Sequence, residues 1–404
     1  MKATFVDALR DNVRDRGRPI NSGLLFPGVL LAQYPVALAI RFLIAPIVLI
    51  LAGSVAFAAD ERSAQDPIAL ARAGTAAIEN QRFGDALEAF TRAAALQPGD
   101  ASLCFGAGVA AFMLGQNDVA QARFERALAL NPDYLTAAQW LGDLHYRAGR
   151  LQAAISVYET AHQRSPAARE LQEQLATWRK EQALQSRFHE MRTAHFSALF
   201  EAATDEPLAR VVVDRLEAAY SRVGNALGVY PSQPITVVLY TREQFADVTR
   251  LAAWSAAAYD GRIRVPLAGA PDQRDELDRV LSHEFVHAVV AGLGGRAVPA
   301  WMNEGLATVL EPAGPDDAEA ILAGTGVRPA LSTLHRSFVG LSRRDAEIAY
   351  ASAARAVRRL IEQRGPAAVV ALLQDLSRGA QFASAFHQRI AMRYEDFAAL
   401  VARD

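Results

Sequence analysis

Two histidines four positions apart, with a glutamate beside the first, are the residues best equipped for chemistry in this chain: Ser282-His283-Glu284-Phe285-Val286-His287. Four residues of helix rise roughly 6 Å over just more than one turn, so both imidazoles project from one face within reach of a shared metal ion. Glu284 stands about a quarter-turn away, where it could take a proton from water instead of binding the metal. The plainer alternative is a helix with two partly exposed histidines. Catalytic zinc takes three protein donors, so two histidines leave it one short. Glu304 is the candidate third, within Val298-Pro299-Ala300-Trp301-Met302-Asn303-Glu304-Gly305-Leu306-Ala307-Thr308. Pro299 suits a helix start, and the sixteen residues between His287 and Glu304 leave room for an antiparallel return. A third histidine in the H-E-x-x-H-x-x-G-x-x-H arrangement is excluded, because Val290 and Leu293 occupy the glycine and histidine positions.

The elements that must position these groups are readable from periodicity. Leu277, Val280, Leu281, Phe285 and Val289 form an apolar stripe at helical spacing; Asp272 after Pro271 suits its start, and Gly292, Gly294 and Gly295 its end. Ahead of it, Pro234–Tyr240 reads as a buried strand followed by a Thr241 helix cap, and residues 205–228 as a helix striped by Val212, Leu216, Ala219 and Val223. Residues 193–200 read as a further strand. Asp260-Gly261 is a turn, and the alternation Arg262, Ile263, Arg264, Val265 stopped by Pro266 is an edge-strand signature. Its unpaired backbone could hold an extended peptide, or the proline could simply blunt the edge. After Pro312 the chain turns acidic and loop-like, through Asp316, Asp317 and Glu319, before a helix opening at Ala349 and Tyr350. Helices near 366–377 and 394–403 close a helical lobe; His335 and His387 receive no role.

From Pro67 the chain repeats every 34 residues. Gly74, Gly108 and Gly142 share a phase, as do Ala86, Ala120 and Ala154; Phe90, Phe124 and Tyr158; Ala93, Ala127 and Ala161; and Pro98, Pro132 and Pro166. These columns resemble the tetratricopeptide repeat over residues 67–168, with 167–186 as a cap helix. The resemblance implies a helical solenoid whose inner face, including Phe105, Val109, Phe112, Gln139 and Tyr146, could hold a peptide or a partner's helix, or an array that only spaces or packs against the next domain.

At 404 residues two domains are expected, and a net charge of -2 gives no pull toward nucleic acid. Cys104 is the single cysteine, so there is no intramolecular disulfide and no multi-thiolate metal site. Residues 42–59 are apolar, follow Arg41, and end in Ala56-Phe57-Ala58. They read as a signal peptide cleaved after Ala58, or else as a membrane anchor; either puts the bulk of the chain outside the cytoplasm, periplasmic or membrane-held. The domains expected are therefore 1–59, signal or anchor; 60–186, repeats with cap; and 187–404, the histidine-bearing domain.

The pairing of His283-Glu284-Phe285-Val286-His287 with Trp301-Met302-Asn303-Glu304-Gly305-Leu306-Ala307 resembles the gluzincin metallopeptidases, in particular the peptidase MA-like group, over about residues 190–400. The resemblance implies a zincin-like α+β domain with a small mixed sheet, an edge strand, an active-site helix and a helical C-terminal lobe. It implies Zn2+ on His283, His287 and Glu304, with Glu284 as general base and Tyr350 as a possible oxyanion donor or a packed helix-start tyrosine. The spacing to Glu304 is shorter than in the aminopeptidase branch, so no exopeptidase specificity is carried over. The expected activity is hydrolysis of peptide bonds in cell-envelope proteins by an endopeptidase, since exopeptidase determinants are not evident, the repeats docking substrate or partner. The rival from another class is a non-catalytic repeat scaffold or chaperone-like assembly factor with a structural metal. Non-peptide amides such as cell-wall cross-links would use the same zinc chemistry.

Overall fold

A computed structural model describes residues 66–403, apart from 202–204, 242, 246–257, 267–273, 313–315, 327–328, 336 and 339–340. The segment 42–59 and the expected helix start at Asp272 lie outside the described residues, among which no helix is long and apolar enough to cross a membrane.

The first half is a stack of helical hairpins: α1 (Pro67–Glu79) with α2 (Phe83–Leu96), α3 (Ala101–Met113) with α4 (Asn117–Leu130), and α5 (Leu135–Arg147) with α6 (Leu151–Arg164), closed by α7 (Arg169–Gln185). Asp66 and Asp100 cap the first helices of repeats one and two by accepting from Ile68 N and Ser102 N. The glycine column exists because each repeat's aromatic lies against it: a Cβ on Gly74, Gly108 or Gly142 would come within 2.8, 2.6 and 2.3 Å of Phe90, Phe124 and Tyr158. The turns between paired helices share a further column, Gln81, Gly115 and Gly149, at φ 58°, 76° and 75°. Left-handed backbone is cheap for glycine and costly for Gln81.

The second half carries β1 (His189–Arg192), β2 (Phe196–Phe200), α8 (Glu206–Leu227), β3 (Ile235–Tyr240), β4 (Ala258–Tyr259) and β5 (Ile263–Pro266). There follow α9 (Arg274–Gly294), α10 (Ala300–Val309), α11 (Asp316–Thr325), α12 (Arg343–Arg364), α13 (Pro366–Ser377), α14 (Phe382–Ile390) and α15 (Tyr394–Arg403). The strands form a mixed sheet ordered β1-β2-β3-β5-β4, in which β3 runs parallel to both neighbours and the outer pairs are antiparallel. Phe196, Ala198, Val237, Leu239, Ile263 and Val265 line one face and share a core with α8, α9, α10 and α12.

Four expectations are corrected. The strand read over 193–200 begins at Phe196; the residues before it turn back into β1, whose sequence His-Glu-Met-Arg carries no apolar alternation. The acidic stretch after Pro312 is helical from Asp316, held because Ala318 and Leu322 pack on Ile348 and Ala351 of α12. The helix expected to open at Ala349 begins at Arg343, with Ser342 Oγ accepting from Asp345 N, so Tyr350 sits two turns in. And β5 is no edge: it is paired by β3 on one side and β4 on the other, leaving only the two-residue β4 outermost.

Nor are the alternating arginines of β5 solvated. Arg262 and Arg264 are 2% and 1% exposed, on the sheet face that the repeat array covers. Arg264 donates to Glu181 Oε1 of α7 at 2.9 Å, to Tyr240 OH at 2.7 Å, to Tyr146 OH of α5 at 2.8 Å and to Asp260 Oδ2 at 2.9 Å. Arg262 Nη2 lies 3.3 Å from Glu181 Oε1, and Tyr146 OH donates to Glu181 Oε2 at 2.7 Å. Two buried arginines thus face two carboxylates, the pairing a buried charge requires. Burial pushes the Glu181 and Asp260 carboxyls up, but Arg264 and Arg262 outweigh it and hold both below their usual range. Two further contacts join the halves by close backbone approach, Gly84 against Gly379 and Gly115 against Gly295.

This junction also corrects the reading of the inner repeat face. Phe105, Val109 and Phe112 are 1%, 4% and 2% exposed, the two phenylalanines packed on Trp140 in the array's own core, while Tyr146 is engaged by Glu181 and Arg264. Of the five residues assigned to the groove, Gln139 and Tyr146 are half-buried, and Tyr146 is the one tied into the junction.

Candidate metal centre

His283 and His287 sit mid-way along α9, where the apolar stripe presses Leu281, Phe285, Val286 and Val289 into the core. That packing buries the motif: His283 is 2% exposed, His287 1% and Glu284 0%. Glu304, 5% exposed, comes in from α10, with Gly305 next to it lying so close to Ala353 O of α12 that a Cβ would fall 2.4 Å away. Glu304 Oε2 stands 3.6 Å from His283 Nε2 and 3.5 Å from His287 Nε2. Donors about 2.1 Å from a tetrahedral zinc stand about 3.4 Å apart, so the spacing fits. Among the described residues these three form the one group of His, Cys, Asp or Glu side chains whose donor atoms lie close enough to hold a metal, all within 4.8 Å.

The unmet polar atoms make the same point. His283 Nε2, His287 Nε2, Glu304 Oε2 and both Glu284 oxygens are buried without a hydrogen-bond partner. Such groups are costly to leave unmet, and here they converge on one another. A metal ion would satisfy the first three and leave Glu284 beside them.

Two supporting residues were not assigned roles from the sequence. His283 Nδ1 lies 2.7 Å from Glu311 Oε1, and His287 Nδ1 lies 3.0 Å from Asn303 Oδ1. A carboxylate and an amide oxygen can only accept, so both rings donate from Nδ1 and aim Nε2 at Glu304. Glu311 is itself held by Arg279, which pairs with Glu276 one turn earlier on α9. Asn303 had a signal, a polar residue beside Glu304 in an otherwise apolar helix; Glu311 lies past the end of α10, beyond any periodicity. Glu311→Gln should weaken zinc binding about 10–100-fold while leaving the fold intact, read by competition against a chromophoric chelator. An unchanged affinity would remove Glu311 from the site.

Burial works to lower the pKa of His283, yet the Glu304 and Glu311 carboxylates outweigh it and raise it to about 10. Glu304 is pushed up by burial but pulled to about 2 by His287 and His283. Glu284 has burial as its largest influence and rises to about 7 despite both histidines. Tyr350 is half-buried, its ring 6.4 Å from that of His283 and edge-on to Phe338 at 5.3 Å.

The tetratricopeptide-repeat family matches residues 71–118 and 105–169, so the helical array is a tetratricopeptide-repeat solenoid. Two solved structures of MamA are 23% identical over 31% of this chain, covering 74% and 69% of theirs, each with a TM-score of 0.29. No curated protein matches the chain. Repeats of this family serve as protein-interaction scaffolds, which is the functional class the comparisons support.

Proposed function

We propose that this protein is a zinc-dependent endopeptidase of the cell envelope whose repeats receive a protein substrate or partner. The observation that carries the reading is Glu284: fully buried, unpartnered at both oxygens, and beside three convergent donors. A structural zinc site is closed by four protein ligands, whereas three donors plus a free carboxylate suit hydrolysis. Zinc held by His283, His287 and Glu304 would supply Lewis acidity for a scissile carbonyl. Glu284 takes the proton of the attacking water and returns it to the leaving amine. Glu311 and Asn303 keep the two imidazoles in the tautomer that binds metal. Tyr350, next to His283, is a candidate donor to the developing oxyanion. The apolar run 42–59 supports export or anchoring.

The second reading is a non-catalytic scaffold or assembly factor with a structural metal, favoured by the family match of the repeats. Metal analysis of the full chain together with cleavage of a peptide library separates the two. The peptidase reading expects one zinc per chain and hydrolysis that chelation abolishes and zinc restores. Bound zinc with no cleavage of any library member would overturn it in favour of the scaffold.

A further inference from the structure

Arg296 lies in the turn between α9 and α10, nine residues after His287 and eight before Glu304. Its backbone N–H donates to Met113 O at 2.9 Å and its Nη1 to Phe112 O at 2.8 Å, both carbonyls at the C-terminal end of α3. The same Nη1 reaches Asn117 Oδ1 at 3.1 Å, and the guanidinium sits 3.8 Å above the Phe112 ring. A cation at a helix C-terminus meets orphan carbonyls and the negative end of the helix dipole, so the contact is favourable three ways. Gly295, at φ 66°, lets the chain pass so near the second repeat that a Cβ would fall 2.5 Å from Leu114 O. Ala297, on the other side of Arg296, packs into the array's core.

We infer that Arg296 is a positioning residue through which the second repeat sets the separation of the two metal-bearing helices. The inference rests on the reading of His283, His287 and Glu304 as metal donors. The geometry is direct: α9 brings two donors, α10 brings the third, and the short turn joining them is pinned to α3 by Arg296. Pro299 stiffens the far end of that turn and Gly295 the near end is held against Leu114, so a shift of α3 has little slack to disappear into. By linkage, whatever moves the second repeat changes metal affinity, and metal binding in turn biases the repeat.

Cobalt(II) added to the full-length protein is the probe, because its visible spectrum reports donor geometry without requiring turnover. Arg296→Ala is expected to bind cobalt at least about tenfold more weakly, with altered absorption bands, at parent-like helical content by circular dichroism. Arg296→Lys, which can still donate to Phe112 O, is expected to recover much of the affinity. Gly84→Ala, which presses on Gly379 at another part of the junction, is expected to keep the parent spectrum. Parent-like affinity and spectrum in Arg296→Ala would overturn the inference while leaving the metal centre standing. An equal spectral change in Gly84→Ala would overturn it too, by reducing Arg296 to one of many junction contacts. A parent chain that binds no cobalt would defeat the metal reading itself.

Discussion

Glu284→Gln is expected to retain zinc at the parent's stoichiometry and to lose peptide hydrolysis by about 10²–10⁴-fold, the range a positioned general base contributes. Retention follows because the three converging donors are His283, His287 and Glu304, and Glu284 is not among them. Loss follows because the amide has the carboxylate's shape without its capacity to accept and return a proton. The substitution is well suited to this site because Glu284 makes no hydrogen bond that glutamine would break. Initial rates on a cleaved library member, with zinc measured in the same preparation, decide the matter. A variant within about threefold of the parent rate would remove Glu284 as base. The scaffold reading makes the opposite cellular forecast: the Glu284 variant would still support the protein's role, while a change on the repeat surface would not. Phe112 is unsuitable for that comparison, since it is buried under Arg296 and its loss would disturb the junction; Gln139 is the better choice.

The largest stability effect is expected at Glu181. Glu181→Ala leaves Arg262 and Arg264 buried with Asp260 as the remaining carboxylate, and removing one partner of a buried ion network costs about 3–5 kcal/mol. The Tyr146 and Tyr240 hydroxyls would lose their acceptor at the same time. Urea unfolding should show this as a lowered midpoint, and limited proteolysis as new cleavage after α7. A change below about 1 kcal/mol would mean that water enters and solvates the arginines. The same network gives the acid response a sign. Glu181 and Asp260 are held below their ordinary values, so their contribution is full above the unfolded-state values near 4 and is lost as pH falls through the lower folded ones. The junction of the parent should therefore loosen below about pH 4, and Glu181→Ala should show a shallower acid dependence.

What was legible in the sequence was what periodicity encodes. The 34-residue columns specified the array because each marks a steric necessity, a small residue facing an aromatic ring. The H-E-x-x-H spacing and Glu304 could be paired because both lie on regular helices joined by a short turn. The misreadings at the junction of the two halves share one cause. Alternation on β5 says that its two faces differ, but not that a second domain covers the charged one, so the edge-strand reading carried no sign that Arg262 and Arg264 are among the most buried side chains. The same blindness to tertiary cover turned Phe105 and Phe112 into groove residues. Glu311 was missed because a carboxylate after a helix end has no pattern until the fold brings it to His283.

Solenoids of this kind ordinarily tolerate gain or loss of a unit, because each repeat contacts only its neighbours. Here three successive repeats meet three fixed points of the second domain: Gly84 at Gly379, Gly115 at Gly295, and Arg147 at Gly261. Insertion or deletion of a single 34-residue unit would throw those points out of register. The array has in effect become a gauge of fixed length, and its number of repeats is as much a property of the neighbouring domain as of the array itself.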